Sequence, residues 1–459
     1  MEKNKNNVLS IIAGNIKNIG VTFKEGDWKT RLSFLIMGFG PIMRKSFARG
    51  IAYLLIEVAF IAYMATSGIA NLSKLSTLGT EETHMDPNTF LTTYGDNSFL
   101  ILLYGVLTAV LCVLFITFWR MNIQENQNEE KIIKNGGHLP TSSQDLKSLL
   151  DQKFHATLLA LPVLGVLVFM VVPIIFMICV AFTNYDSTHQ APSKLFTWVG
   201  FENFTQLLKF GGNGMGSTFT TILIWTLVWA FFATFSTYFG GIALALLINK
   251  KGVKFKKFWR TIFVMTIAIP QFISLLYVSK MFAADGLINT YFVKWGIFER
   301  SYNFWAHPMT ARVLIIVINL WIGIPYVMLM ATGLLMNIPA DLYESARIDG
   351  ASPWQMFRKI TMPYMLFVTG PYLLTSFTGN LNNFNVIYLL SGGGPTSMQL
   401  YGGSGYTDLL VTWLYKLVLN STNYKLAACV GILTFVVVAF TSLIAYSKLP
   451  SIKDEEGFQ

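Results

Sequence analysis

Apolar residues in this chain run in long blocks divided by short polar stretches, rather than recurring at a helix or strand period. A block of about 20 mostly apolar residues can cross the hydrocarbon of a bilayer as one helix. Eight blocks meet that length, near residues 47–72, 98–119, 157–183, 218–248, 258–283, 312–336, 364–391 and 425–447. Pro270 interrupts the fifth, where a missing amide donor predicts a kink. The expected fold class is therefore all-α: a polytopic membrane protein with about eight transmembrane helices. Residues 32–43 are apolar but too few to span, and are expected along the inner surface beside Arg44 and Lys45. The polar stretch 121–156 is expected as a partly helical cytoplasmic connector.

Composition sharpens this picture. Hydrophobic residues make up 53% of the chain against 13% charged, with 37 Phe, which a water-soluble core could not bury. The net charge of +10 would suit nucleic acid if the cations were spread. They are not: with the amino terminus inside, 25 of the 34 Lys and Arg fall in cytoplasmic segments, including the run KKGVKFKKFWR at 250–260. Both termini are then cytoplasmic, and the partner for this charge is anionic membrane lipid, not nucleic acid. Cys112, Cys179 and Cys429 all fall within spanning blocks and the five His are scattered, so neither a disulfide framework nor a metal site is expected. No Gly-x4-Gly-Lys-Ser/Thr occurs, so the chain is read as no enzyme and as holding no cofactor.

Between the sixth and seventh blocks lies a polar hairpin, ESARIDGASPWQMFRKITMP, at 344–363. Gly350 suits a left-handed stop, Ser352 with Gln355 a capping box, and Pro353 the first helical position. Pro363 is expected to end the unit. These residues resemble the EAA loop of ATP-binding-cassette (ABC) importer permeases: Glu344, Ala346, Gly350, Ile360 and Pro363 match, while Ser345 and Met362 depart. The resemblance implies that these five residues couple the chain to a dimer of separate ATP-binding subunits, which bind the ATP and Mg. It also implies a domain plan: a cytoplasmic segment 1–46, an accessory transmembrane pair 47–120, the connector 121–156, a six-helix permease core 157–447 with its coupling loop 339–363, and a cytoplasmic tail 448–459.

Within the membrane, Asn319, Gly323 and Tyr326 recur at i, i+4, i+7 in the sixth block, and Ser376, Asn380 and Asn383 do so in the seventh. Each triplet makes one stripe, and antiparallel helices bring the stripes level with one another. At about 1.5 Å per residue, Asn319 and Asn383 lie roughly 10–12 Å below the outer ends of their blocks. Amides, hydroxyls and an aromatic face around a gap at Gly323 suit a neutral polyol such as a sugar; interhelical packing is the competing role. Glu57 is the one acid placed at membrane depth and is expected to be a structural partner, so an ion-coupled secondary sugar transporter is the weaker alternative.

The contexts NLWIGIPY and SFTGNLNNFNVIYLLSGGGP resemble the MalF-type permeases of maltose and maltodextrin importers. In that family the positions matching Asn319, Gly323, Tyr326, Ser376, Asn380 and Asn383 contact sugar. Ile267 stands where the family has Tyr, and the outer loop 184–217 is short, as in Gram-positive relatives. The resemblance implies a bacterial cell-membrane importer of oligosaccharide, with maltose or maltodextrin favoured over a different oligosaccharide. Its partners would be a second, MalG-type permease, the ATPase pair and an extracellular sugar-binding protein. The glycine-rich segment 392–405 is expected to be flexible by composition.

Overall fold

The computed structural model describes residues 19–85, 92–190, 194–209, 214–250 and 252–447. The expected tail 448–459 and the first 18 residues of the expected amino-terminal segment lie outside the described residues. The fold is all-α and polytopic, as expected, with a single pair of two-residue strands among the described residues. Its contacts divide the chain into two compact units, Met1–Trp198 and Val199–Gln459.

The first unit holds α1 (Trp28–Leu32), α2 (Phe39–Met43), α3 (Phe47–Leu75), α4 (Ser98–Lys134), α5 (Ser142–Leu150) and α6 (Phe154–Val180). α4 does not stop near 119; it runs on for 37 residues, about 55 Å. Its last turns are buried by the segment that precedes α3. Arg44, almost fully buried, donates to Asp27 Oδ1 at 2.8 Å, Thr30 Oγ1 at 2.6 Å and Asn126 Oδ1 at 2.9 Å. Asn122 accepts from the Gly38 amide and donates to the Ser33 carbonyl. Glu57 is a structural partner: its carboxylate accepts the buried Met37 amide at 2.8 Å. A buried charge paired as Arg44 is with Asp27 fixes geometry more than it adds stability.

The second unit holds α7 (Glu202–Leu208), α8 (Met215–Asn249), α9 (Lys256–Ala268), α10 (Gln271–Met281), α11 (Leu287–Lys294), α12 (Pro308–Leu335), α13 (Ala340–Ile348), α14 (Pro353–Met356), α15 (Met362–Leu381), α16 (Phe384–Ser391), α17 (Leu410–Leu419) and α18 (Tyr424–Ser447). α8 and α12 form its spine. Gly241 admits Val327 and Gly240 admits Ile324, since a Cβ at either would stand 2.4–2.8 Å from those side chains. Small residues let backbones approach where lipid supplies no hydrophobic drive.

Six helices among the described residues are long and apolar enough to cross a membrane, or seven if the bent pair α9 and α10 counts as one span. That pair bends by 92° at Ile269–Pro270, realising the predicted kink. The expected block 364–391 is different. It divides into α15 and α16 at Asn382–Asn383, because Asn383 caps α16 by accepting the Val386 amide at 3.2 Å. The segment 392–405 is folded, not a loose glycine tether: Thr396 pairs with Gly405, and the Tyr401 amide donates to Thr218 at 2.9 Å.

Candidate functional site

Two places draw the sequence-predicted residues together, a cavity inside the second unit and the hairpin below it. The cavity has a volume of about 450 Å³ and is lined by Asn319, Gly323 and Tyr326 of α12 and by Ser376 and Asn380 of α15. Five of the six stripe residues therefore share one wall system. Asn383 is not on the lining. Because the chain breaks after α15, it leaves the stripe and donates to Asn380 Oδ1 at 3.2 Å from behind.

The stripes meet through α8 rather than facing each other directly. Asn380 Nδ2 donates to Thr234 Oγ1 at 3.0 Å, and Trp229 Nε1 donates to the Asn380 carbonyl at 3.1 Å. Asn319 Nδ2 reaches Thr237 Oγ1 only at 3.5 Å, at the limit of a hydrogen bond. Its amide is thus held in place but weakly engaged. Gly323 is not an open gap: a Cβ there would meet Thr237 Cγ2 at 2.6 Å, so its bareness lets α8 and α12 close.

The opposite wall comes from the α9–α10 break. Thr266, Ile267, Ile269, Pro270, Gln271 and Ser274 line it, and Tyr372 of α15 completes the lower rim beside Tyr326, with ring centroids 6.3 Å apart. Irregular backbone at membrane depth is tolerated where it faces a cavity, which explains a 92° break with no side-chain cap on α10. Of this wall, sequence reasoning had only Ile267 and the Pro270 break; it missed Thr266, Gln271, Ser274 and the two α8 threonines. A usable signal existed, since Thr234 and Thr237 stand at i, i+3 in an apolar helix and Gln271 follows Pro270. Ile267, where the resembling family has Tyr, sits on the lining as an apolar patch. Among the described residues, no Asp, Glu, Lys or Arg lines the cavity. Such a site can offer hydrogen bonds and ring faces to a neutral ligand but cannot neutralise a charge.

At the other end of the cavity from the hairpin, the 392–409 segment is tied to the amino-terminal half of α8 and the amino-terminal turn of α12. Trp225 Nε1 donates to the Thr407 carbonyl at 3.1 Å, and Arg312 donates to the Tyr406 carbonyl at 2.9 Å while lying 4.7 Å over the Trp225 ring. Asp408 is fully buried and paired with Lys416 at 2.7 Å. Burial pushes the Asp408 carboxyl up, against Lys416, the Gly405 amide and the Thr412 hydroxyl, which favour its ionised form.

The hairpin at 339–363 folds largely as its sequence dictates. Gly350 is left-handed at φ +80°, and the Ala351 amide closes α13 by donating to the Ala346 carbonyl at 2.8 Å. Ser352 and Gln355 form the capping box and Pro353 opens α14. Pro363 does not end the unit. The preceding turn widens into a π-helix, Phe357–Thr361, which gives the proline ring room, and the helix runs straight on into α15. Tyr343 and Thr361 hydroxyls bond at 2.8 Å, bracing the two arms. Glu344 and Gly350 are exposed, Ala346 and Ile360 half-buried. Ile348 at 87% and Trp354 at 66% exposure project from the tip, an apolar surface that a docking partner would cover.

Residues 237–449 match the family described as binding-protein-dependent transport system inner membrane component. The chain is 34% identical over 444 residues to the maltodextrin transport system permease protein MalC of Streptococcus pneumoniae, spanning 94% of this chain and 98% of that one. It is 33% identical over 438 residues to the galactooligosaccharides transport system permease protein GanP of Bacillus subtilis, spanning 92% and 97%. Its structure is similar to that of a bacterial ABC transporter involved in the import of the acidic polysaccharide alginate, with a TM-score of 0.54 and 25% identity over 66% of this chain and 96% of that one.

Proposed function

Because the chain belongs to the family of binding-protein-dependent transport system inner membrane components, we propose that its cavity carries a neutral oligosaccharide across the bilayer. The chain is the membrane component, and ATP hydrolysis belongs to a separate subunit. One observation carries the substrate reading: a cavity of about 450 Å³ with three-sided polar lining and, among the described residues, no carboxylate, amine or guanidinium. An acidic sugar of the alginate kind would need cations there. Maltodextrin and galactooligosaccharide, named for two relatives of nearly equal identity, are both neutral. We favour the α-linked glucose series, on the match of the six stripe positions to the MalF type.

Asn319, Tyr326, Ser376 and Asn380 are the proposed sugar contacts, with Gly323 and Asn383 setting their positions. Sugar arrives on an extracellular binding protein, and ATP binding closes the ATPase pair. The exposed hairpin, with Glu344 against a basic group of one ATPase subunit and Gly350 allowing the turn, passes that motion through the continuous helix into α15. A second, MalG-type permease shares the passage. Both termini lie in the cytoplasm of a Gram-positive cell. The test is uptake by the reconstituted complex with its binding protein: Asn380→Ala should depress neutral-sugar uptake and sugar-stimulated ATP hydrolysis together. Unchanged uptake in that variant would reduce the stripe to helix packing.

A further inference from the structure

Outward of the cavity, three aromatic rings gather where the function described so far has no use for them. Phe384 and Tyr388 of α16 stack at 4.8 Å and 20°, and Tyr415 of α17 stands edge-on to both at 4.9 and 5.2 Å. The opposite side of α16, with Val386, Ile387 and Leu390, is buried in the core with Trp225, Trp229 and Leu275. The aromatic side is therefore turned outward, and Tyr388 is 37% exposed. Tyr and Trp often mark the membrane interface, where they face lipid. Two amides oppose that role here. Asn382 and Asn385 flank Phe384 and are both exposed, and primary amides set against acyl chains would lose their water without gaining partners.

The cluster begins four residues past Asn380, the last residue of α15 on the cavity lining. Asn383, whose next residue is Phe384, donates to Asn380 Oδ1, and Asn380 lines the cavity. A pyranose ring has one face of C–H groups and a rim of hydroxyls. Its apolar face packs on an aromatic face, and its rim takes amide hydrogen bonds. We infer that Phe384, Tyr388 and Tyr415, with the Asn382 and Asn385 amides, form a second sugar subsite that holds an outer ring of an oligosaccharide whose inner rings occupy the cavity. The inference rests on the cavity being the sugar site and adds that this chain reads oligosaccharide length.

The experiment is uptake by the complete reconstituted complex, comparing an α-linked glucose disaccharide with a hexasaccharide. Tyr388→Leu and Phe384→Leu keep apolar bulk but remove a ring face, and Tyr388→Phe restores the face. The leucine variants should raise the half-saturating hexasaccharide concentration by about threefold to tenfold, the worth of one aromatic pair. Disaccharide uptake should be unchanged, and Tyr388→Phe should behave as wild type. Equal losses for both sugars, or no loss for the hexasaccharide, would overturn the subsite. Asn380→Ala in parallel separates the two claims. If it alone is silent while Tyr388→Leu is length-selective, the cavity assignment fails and, with it, the placing of the inner rings, although the aromatic cluster still binds sugar.

Discussion

Gly323→Ala tests how the cavity wall is set. The added Cβ would lie 2.6 Å from Thr237 Cγ2, whereas carbon atoms in contact prefer about 3.5–4.0 Å. Either α8 and α12 part by about 1 Å or Thr237 leaves its rotamer, an overpacking strain of about 1–3 kcal/mol. Asn319 and Tyr326 ride on α12 and would be displaced by a similar distance. Losing one well-formed hydrogen bond to sugar is worth about 0.5–1.5 kcal/mol, so the half-saturating sugar concentration should rise roughly twofold to tenfold. Thr237→Ser removes only the offending methyl. The nearest remaining atom to the new Cβ would then be Oγ1 at 3.4 Å, an ordinary contact. The double variant should recover wild-type uptake in proteoliposomes. If Thr237→Ser is itself harmless and fails to rescue Gly323→Ala, the glycine is open space needed by the sugar, and the packing account is wrong.

Three further outcomes follow from the hairpin and the outer segment. Gly350→Ala meets no neighbour within 4 Å, so its effect is confined to backbone at φ +80°; about 1–2 kcal/mol of local strain should lower sugar-stimulated ATP hydrolysis while leaving membrane insertion normal. Glu344 is exposed, with no ion pair among the described residues, so Glu344→Lys should leave thermal stability within about 0.5 kcal/mol yet reduce copurification of the ATPase subunits; retained copurification and coupling would remove it from the docking surface. Asp408→Asn strands Lys416 in a buried site and should destabilise the outer segment by about 3–5 kcal/mol, read as faster proteolysis between 392 and 409.

Much of this was legible from spacing. The apolar blocks, the Pro270 break, the left-handed Gly350 and the Ser352–Gln355 box each follow from a local rule that tertiary contacts did not override. Asn383 shows where such rules stop. As a helix residue it completes an i, i+4, i+7 stripe, but as a cap it satisfies the Val386 amide, and the cap won. Pro363 likewise looked like a terminator, and one widened turn absorbed it. The wall at Gln271 and Ser274 was hidden because only the 92° bend turns those residues toward the stripe. Glycine content misled at 392–405, where Gly393 is required by Asp408 packed against it rather than by looseness.

The central claim, that a neutral sugar occupies the cavity between α12 and α15, is most directly tested by thiol labelling at Ser376. Ser376→Cys would be made in a chain with Cys112, Cys179 and Cys429 replaced, and the assembled complex labelled with a small polar maleimide. The account predicts that a neutral oligosaccharide delivered by the binding protein slows labelling at 376 but not at an exposed outer cysteine placed at Met398. Labelling at 376 that ignores the sugar, in a complex that still hydrolyses ATP in response to it, would contradict the account.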